Sequence, residues 1–318
     1  MLTLHSPEPL YKRLILHGGS ALGMLPIPKV VAEASYETVI AGYGLKDLSP
    51  KERLEGLLKL PQEKLLDVPF GANMMSCVDG TEIVAPIDLK VVLNRDEFAK
   101  AAPGNQWCEE LMIGYCLLDS MIFEYIGLIK ETDVAARFGN AVRKFVPTGP
   151  GADAILEAYD ITPSTPDPEA HISALRFVNE FIWGVPAYLL AFAWPGKSYV
   201  YRWDEPNPWE GKYKGHATHG LELAHLFLNW ADKLSEKQQT LAVAISKDLI
   251  SFTRGEEPWL PLNKERGRRV YGPSEKRIAP WAPLSQDDTG AAARMKKLSD
   301  MVGQDICSDI ARAYMFNM

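Results

Sequence analysis

Three histidines crowd one short stretch of this chain, Gly215-His216-Ala217-Thr218-His219-Gly220-Leu221-Glu222-Leu223-Ala224-His225. An imidazole titrates near neutrality and can both take and give a proton. A histidine held between Gly215 and Gly220 on a loop can reach into a site. The spacing of His216, His219 and His225 also admits a metal. No further ligand of matching geometry is visible in the sequence, so the expectation is no metal centre and no cofactor. A general base needs an acid to orient it. Asp119 lies after the apolar stretch Leu111-Met112-Ile113-Gly114 and before the apolar run Met121-Ile122-Phe123. By its residues alone, an Asp-Ser pair in that position is a good helix N-cap. Glu124 is another acid nearby, one turn inside the same helical run. For a nucleophile, Gly18-Gly19-Ser20-Ala21-Leu22 comes nearest to a Gly-x-Ser-x-Gly elbow. Leu22 stands where the second glycine belongs, and Pro26 and Pro28 oppose the helix an elbow requires. Ser20 therefore reads as a strand-end turn residue.

The elements that must position these groups are legible. Strands are expected at Lys12–His17, Leu111–Gly114, Ser198–Trp203 and Arg268–Gly272, apolar enough in their middles to be buried on both faces. Ser49-Pro50-Lys51-Glu52 and Ser235-Glu236-Lys237-Gln238 are capping boxes, each opening a helix, and the second helix closes at Gly255. Its apolar stripe is Leu241, Ala244, Ile245, Leu249 and Phe252. Further helices are expected over Val30–Tyr43, Thr132–Lys144, Ala152–Tyr159 and Ile172–Phe181, with His171 a polar residue at the start of the last. Ala279–Pro283 reads as a linker-like break. A terminal amphipathic helix is expected within residues 284–318, over Thr289–Tyr314, with Leu298, Met301, Val302, Ile306 and Ile310 on one face.

Composition narrows the function classes. The 318 residues are 47% hydrophobic and 24% charged, with a net charge of −7. That balance argues against nucleic acid or an acidic membrane surface as the main partner. The basic cluster Lys264–Arg269 reads as a solvated loop. Cys77, Cys108, Cys116 and Cys307 form no Cys-x-x-Cys pair and no zinc spacing. The longest apolar run, Phe181–Trp194, is too short to span a bilayer. No signal peptide opens the chain, which favours a cytoplasmic location while leaving the location open.

Taken in order, these phrases resemble the type-B carboxylesterase/lipase family. Strand, Asn207-Pro208-Trp209, Gly215-x-x-x-His219-Gly220 and Glu222-Leu223-x-x-x-Phe227 are similar to the region around that family's catalytic histidine. Gly114, four residues and Asp119-Ser120 are similar to its Gly, four residues, Glu-Gly phrase, whose glutamate is the triad acid. Aspartate is one methylene shorter, so its loop must sit roughly 1.3–1.5 Å closer. The resemblance covers roughly Leu2 to Gly272. It implies the C-terminal part of an α/β-hydrolase fold: one partial domain over residues 1–318, with a partial, mostly parallel sheet and many surrounding helices. It implies His219 and Asp119 as catalytic residues and a small-molecule ester as substrate. The family's nucleophile elbow and oxyanion loop precede the matching region, so this chain alone is expected to be inactive. The alternatives are a non-hydrolytic binding or scaffold protein, or an enzyme that uses His219 as a general base without covalent chemistry. A sheet cut in this way exposes an edge, and a homodimer through that edge or through the late helix is expected.

Overall fold

The computed structural model describes residues 8–23, 25–65, 76–81, 83, 87, 89–102, 104 and 107–316. In chain order it begins with strand β1 (Arg13–His17), the short β2 (Ile27–Pro28), helices α1 (Lys29–Gly42), α2 (Pro50–Leu58) and α3 (Gln62–Leu65), and β3 (Cys77–Val78). Next come α4 (Leu89–Val92), α5 (Arg95–Ala101), β4 (Glu110–Cys116), a 3₁₀ turn at Asp119–Met121, and α6 (Ile122–Tyr125). Helices α7 (Val134–Phe145), α8 (Gly151–Ala158) and α9 (Asp167–Asn179) follow; α9 runs through a π-type turn at Glu180–Gly184 into α10 (Val185–Ala193). The chain closes with β5 (Lys197–Trp203), α11 (Leu221–Leu226), α12 (Glu236–Arg254), β6 (Gly267–Tyr271), β7 (Trp281–Pro283), α13 (Ala291–Val302) and α14 (Gln304–Phe316).

Five strands make the main sheet in the order β1-β4-β5-β6-β7. The first four run parallel and β7 is antiparallel to β6. Every residue of β4 is buried, because both sheet faces are covered. Leu111, Ile113 and Tyr115 point into a large core built with α7, α9, α10, α13 and α14. Met112 and Cys116 point the other way, into a smaller core built with α11 and α12. This is an α/β fold with a mostly parallel sheet and many helices. Both capping boxes form: Ser49 with Glu52, and Ser235 with Gln238. Gly255 ends α12 at φ +83°, a backbone conformation that costs glycine least.

Four expectations change. The break at Ala279–Pro283 contains a strand, β7, whose Trp281 lies opposite Arg269. Gly267 makes room for it, since a Cβ there would sit 2.1 Å from the Trp281 ring. The Lys264–Arg269 cluster is a solvated loop only in its first half. Arg268 is buried with its Nη2 donating to Asp287 (3.1 Å), and Arg269 Nε donates to Asp248 (2.9 Å). The carboxylates that draw them inward are distant in sequence, so local composition does not reveal them. The terminal segment is two helices, broken at Gly303 (φ +94°, ψ 141°). Both pack on this chain, through Leu298, Cys307, Ile310 and Tyr314, while Met301 faces solvent. Finally, His171 does not stand at a helix start, because the helix begins at Asp167. It is buried in α9, with Nε2 2.8 Å from Glu124 Oε2. No helix among the described residues is long and apolar enough to cross a membrane.

Candidate active site

The site forms where β4 and β5 end. The two strands pair in parallel register down to Cys116 opposite Trp203. The chains then leave the sheet but meet once more: Leu118 N donates to Ala217 O (2.9 Å), and Leu118 and Thr218 form an isolated parallel bridge. One residue beyond that bridge on each side stand Asp119 and His219. In parallel α/β sheets the carboxyl ends of the strands are where reactive groups gather. Here that geometry brings together two side chains 100 residues apart, with His219 Nδ1 2.7 Å from Asp119 Oδ1.

Asp119 is fully buried and the His219 side chain is 32% exposed. The other Asp119 oxygen, Oδ2, accepts the backbone N–H of Cys116 (2.7 Å). That bond points back toward the strand, so the carboxylate caps no helix N–H: the residue before the 3₁₀ turn is Leu118, and it makes no side-chain cap. Burial raises the Asp119 pKa, against the opposing pull of its bond to His219. For His219, burial alone would lower the pKa, but the Asp119 hydrogen bond and charge raise it above the ordinary histidine value. With the carboxylate accepting from Nδ1–H, the bare lone pair is on Nε2, the atom free to act as a base.

Gly18 closes one side. It follows β1 at φ +58°, and a Cβ there would lie 3.0 Å from Asp119 Oδ1 and 3.2 Å from His219 Cε1. Its carbonyl accepts from Trp183 Nε1 (2.7 Å), which hangs from the π-type turn, and the Trp183 ring lies 6.4 Å from the His219 ring. A π turn inside a helix is a common way to redirect a side chain toward a site. Gly18→Ala is expected to cost about 1–2 kcal/mol in left-handed backbone strain and to spread the His219–Asp119 pair. Thermal unfolding together with the NMR shift of the His219 Nδ1 proton measures both effects; an unchanged proton shift would count against the close approach.

The neighbouring histidines have other partners. His216 is half-buried against the Tyr213 ring. His225 is buried, its Nδ1 donating to Leu221 O (3.0 Å), with burial lowering its pKa. Among the described residues no three His, Cys, Asp or Glu side chains cluster as metal ligands. Glu124 does not reach His219. Its Oε2 accepts from Lys212 Nζ (2.7 Å) and from Tyr213, as well as bonding His171, and so ties the Asp119 helix to the loop that carries His219.

Sequence reasoning missed a group of buried residues under the pair. Glu222 lies on α11, three residues after His219, and Cys116 Sγ donates to its Oε2 (2.9 Å). Tyr201 is fully buried beside them, with its hydroxyl 2.6 Å from His17 Nδ1. The one signal available was the polar Glu222 inside an otherwise apolar helix start. Burial pushes His17 down to about 4. A folded value below the unfolded one means that stability is full above about 6.5 and is lost as pH falls toward 4. The loss is expected to be on the order of 3 kcal/mol, and His17→Gln should abolish that part of the pH dependence in urea titrations.

No protein-family model and no curated protein matches this sequence. Solved structures do. The chain is similar to the Geobacillus stearothermophilus carboxylesterase EST55, with TM-score 0.59 and 20% identity over 92% of this chain and 60% of that one. A PNB esterase matches at TM-score 0.58 and 16% identity, over 92% and 59% of the two chains. Aspergillus niger EstA matches at TM-score 0.56 and 14% identity, over 95% and 61%. The likeness is one of fold, and the chain spans about 60% of the length of these proteins.

Proposed function

We propose that this chain supplies the histidine and the acid of a serine-dependent carboxylic ester hydrolase acting on a small-molecule ester. His219 is the general base, and Asp119 orients it and stabilises the imidazolium. The observation that carries this reading is the 2.7 Å Asp119–His219 contact at the carboxyl ends of adjacent parallel strands, in a fold shared with esterases. In such chemistry a serine attacks the ester carbonyl, histidine takes the hydroxyl proton and returns it to the leaving alcohol, and backbone amides hold the oxyanion.

The serine comes from outside the described residues. Ser20 lies in the turn after Gly18, where its Oγ accepts from Leu22 N (3.3 Å), and Ser120 is buried with its Oγ donating to Leu175 O (2.7 Å). Among the described residues no hydroxyl is hydrogen-bonded to His219. β1, an edge strand of the sheet among the described residues, ends at His17, and Gly18 after it lies beside the pair. A further polypeptide segment paired along that edge would arrive beside His219 and Asp119. The same lack of a bonded hydroxyl supports a second reading, a non-hydrolytic descendant that keeps the pair for binding or for non-covalent base chemistry.

Intact mass after exposure to a fluorophosphonate, with peptide mapping, tests the first reading. The folded chain alone is expected to form no adduct, whereas the protein purified from its natural source is expected to form one and to hydrolyse p-nitrophenyl esters in a His219-dependent manner. An adduct on Ser20 would overturn the origin of the nucleophile. No adduct and no hydrolysis in the natural material would leave the non-hydrolytic reading.

A further inference from the structure

We infer that Cys116 and Glu222 act as a positioning pair behind Asp119, joining the acid and the histidine-bearing helix into one buried unit and setting the charge that His219 feels. The inference rests on the reading of His219 and Asp119 as a base with its orienting acid.

Cys116 serves both partners at once. Its backbone N–H holds Asp119 Oδ2 (2.7 Å), and its thiol donates to Glu222 Oε2 (2.9 Å). Glu222 sits in the first turn of α11, immediately after His219-Gly220, so a bond from the end of β4 to Glu222 fixes where that helix begins. The unit has no solvent access: Cys116 and Asp119 are 0% exposed and Glu222 is 1% exposed. A buried carboxyl needs a hydrogen-bond donor, and the thiol is a weak one. The groups that face the pair are Asp119 from the turn after β4, His219 from the loop after β5, and Tyr201 from β5, whose hydroxyl in turn meets His17.

Electrostatics follows from that geometry. Burial, then the charge of Asp119, pushes the Glu222 carboxyl up to about 7. Below that pH Glu222 is a neutral acid, and Asp119 is the one negative charge beside the imidazole. Above it Glu222 adds a second charge, which acts to raise the His219 pKa. The thiol bond favours the ionised carboxylate, so Cys116 regulates when that second charge appears. Cys116 itself stays protonated, because burial holds its pKa well above the usual thiol value.

The test is an NMR titration of the His219 imidazole in the intact chain, with the resonance assigned by its loss in His219→Gln. In Glu222→Gln the midpoint is expected to fall, leaving about threefold less imidazolium at neutral pH, the factor that half a pKa unit represents. Cys116→Ala is expected to move it the same way, and Cys116→Ser, which keeps a donor, to restore it. A midpoint in Glu222→Gln that matches the parent overturns the inference, whatever happens to stability. If Glu222→Gln does not fold, the contrast between Cys116→Ala and Cys116→Ser decides: equal midpoints overturn it. Asp119→Asn is the reference. If that change also leaves the midpoint in place, the underlying reading of the pair fails; if it alone shifts the midpoint, only the role of Cys116 and Glu222 fails.

Discussion

Replacing Asp119 with asparagine is expected to move the His219 titration to lower pH, to leave the chain folded, and to cost about 10⁴-fold in any ester hydrolysis that depends on His219. The reason lies in how both carboxylate oxygens are used. Oδ1 holds His219 Nδ1 and Oδ2 holds the Cys116 amide. An asparagine can keep the amide bond through its carbonyl, and its NH₂ then faces Nδ1. That donor requires a lone pair on Nδ1, so the proton moves to Nε2 and the imidazole presents the wrong tautomer to a nucleophile. The sign of the stability effect follows from linkage. Burial raises the Asp119 pKa above the ordinary aspartate value of 3.8. The contribution of this group is therefore greatest below the unfolded value and is lost as pH rises through the folded one. At neutral pH the ionised group is a cost that asparagine removes. The matching contribution of His219, whose pKa is raised, is also present at low pH and lost as pH rises. Loss of hydrolysis with undiminished stability marks a group kept for chemistry. Thermal melts and NMR titration of Asp119→Asn measure both sides, and an unmoved His219 midpoint would contradict the prediction.

Asp287→Ala is expected to be among the most damaging single changes for stability. Arg202 and Arg268 are each 1% exposed on adjacent strands β5 and β6. Asp287 Oδ1 accepts from Arg202 Nη1 (2.6 Å), Arg268 Nη2 (3.1 Å) and Thr289 Oγ1 (2.9 Å), and Oδ2 accepts from Ala292 N (2.7 Å) at the start of α13. Arg202 keeps its two bonds to Asp204, but Arg268 loses its carboxylate in a buried place. Breaking one partner of a buried charge network costs about 3–5 kcal/mol, roughly 4–8 °C in melting temperature for a chain of this size. Asp287→Asn, which retains an acceptor, should cost less. Although burial works to raise the Asp287 pKa, the Ala292 amide, Arg202 and Thr289 hold it down at about 2. Its stabilisation is thus complete above the unfolded value of 3.8 and disappears as pH falls through about 2. Urea unfolding at neutral pH and near pH 3 tests both statements: a loss under 1 kcal/mol at neutral pH, roughly that of a surface ion pair, would refute the first.

The local code of this chain is strong where a few consecutive residues suffice. Ser49, Ser235 and Gly255 announce their helix ends because a cap is made within one turn. The buried strands announce themselves because a parallel strand covered on both faces must be apolar along its length. The same information placed His219 on its loop and read Asp119 as a helix cap, while the family resemblance read Asp119 as the orienting acid, and the two readings stayed divided. The choice rests on which atoms the carboxylate meets, and those atoms belong to the ends of two strands aligned by the sheet register and by the Leu118–Thr218 bridge.

Other assignments failed for one physical reason. Arg268 reads as solvated until Asp287 arrives from beyond β6, His171 reads as a polar helix-start residue until Glu124 and Tyr213 close over it, and Trp281 reads as a break until Gly267 leaves it room. Buried polar groups take their meaning from distant partners, because a charge or a thiol is tolerated inside only where a specific donor or acceptor meets it. Periodicity and capping thus determined the elements of this protein. The partnerships of Cys116, Asp119, His219 and Glu222 were decided by tertiary structure, since hydrogen bonds act over about 3 Å in space and no pattern along the chain encodes which residues will come that close.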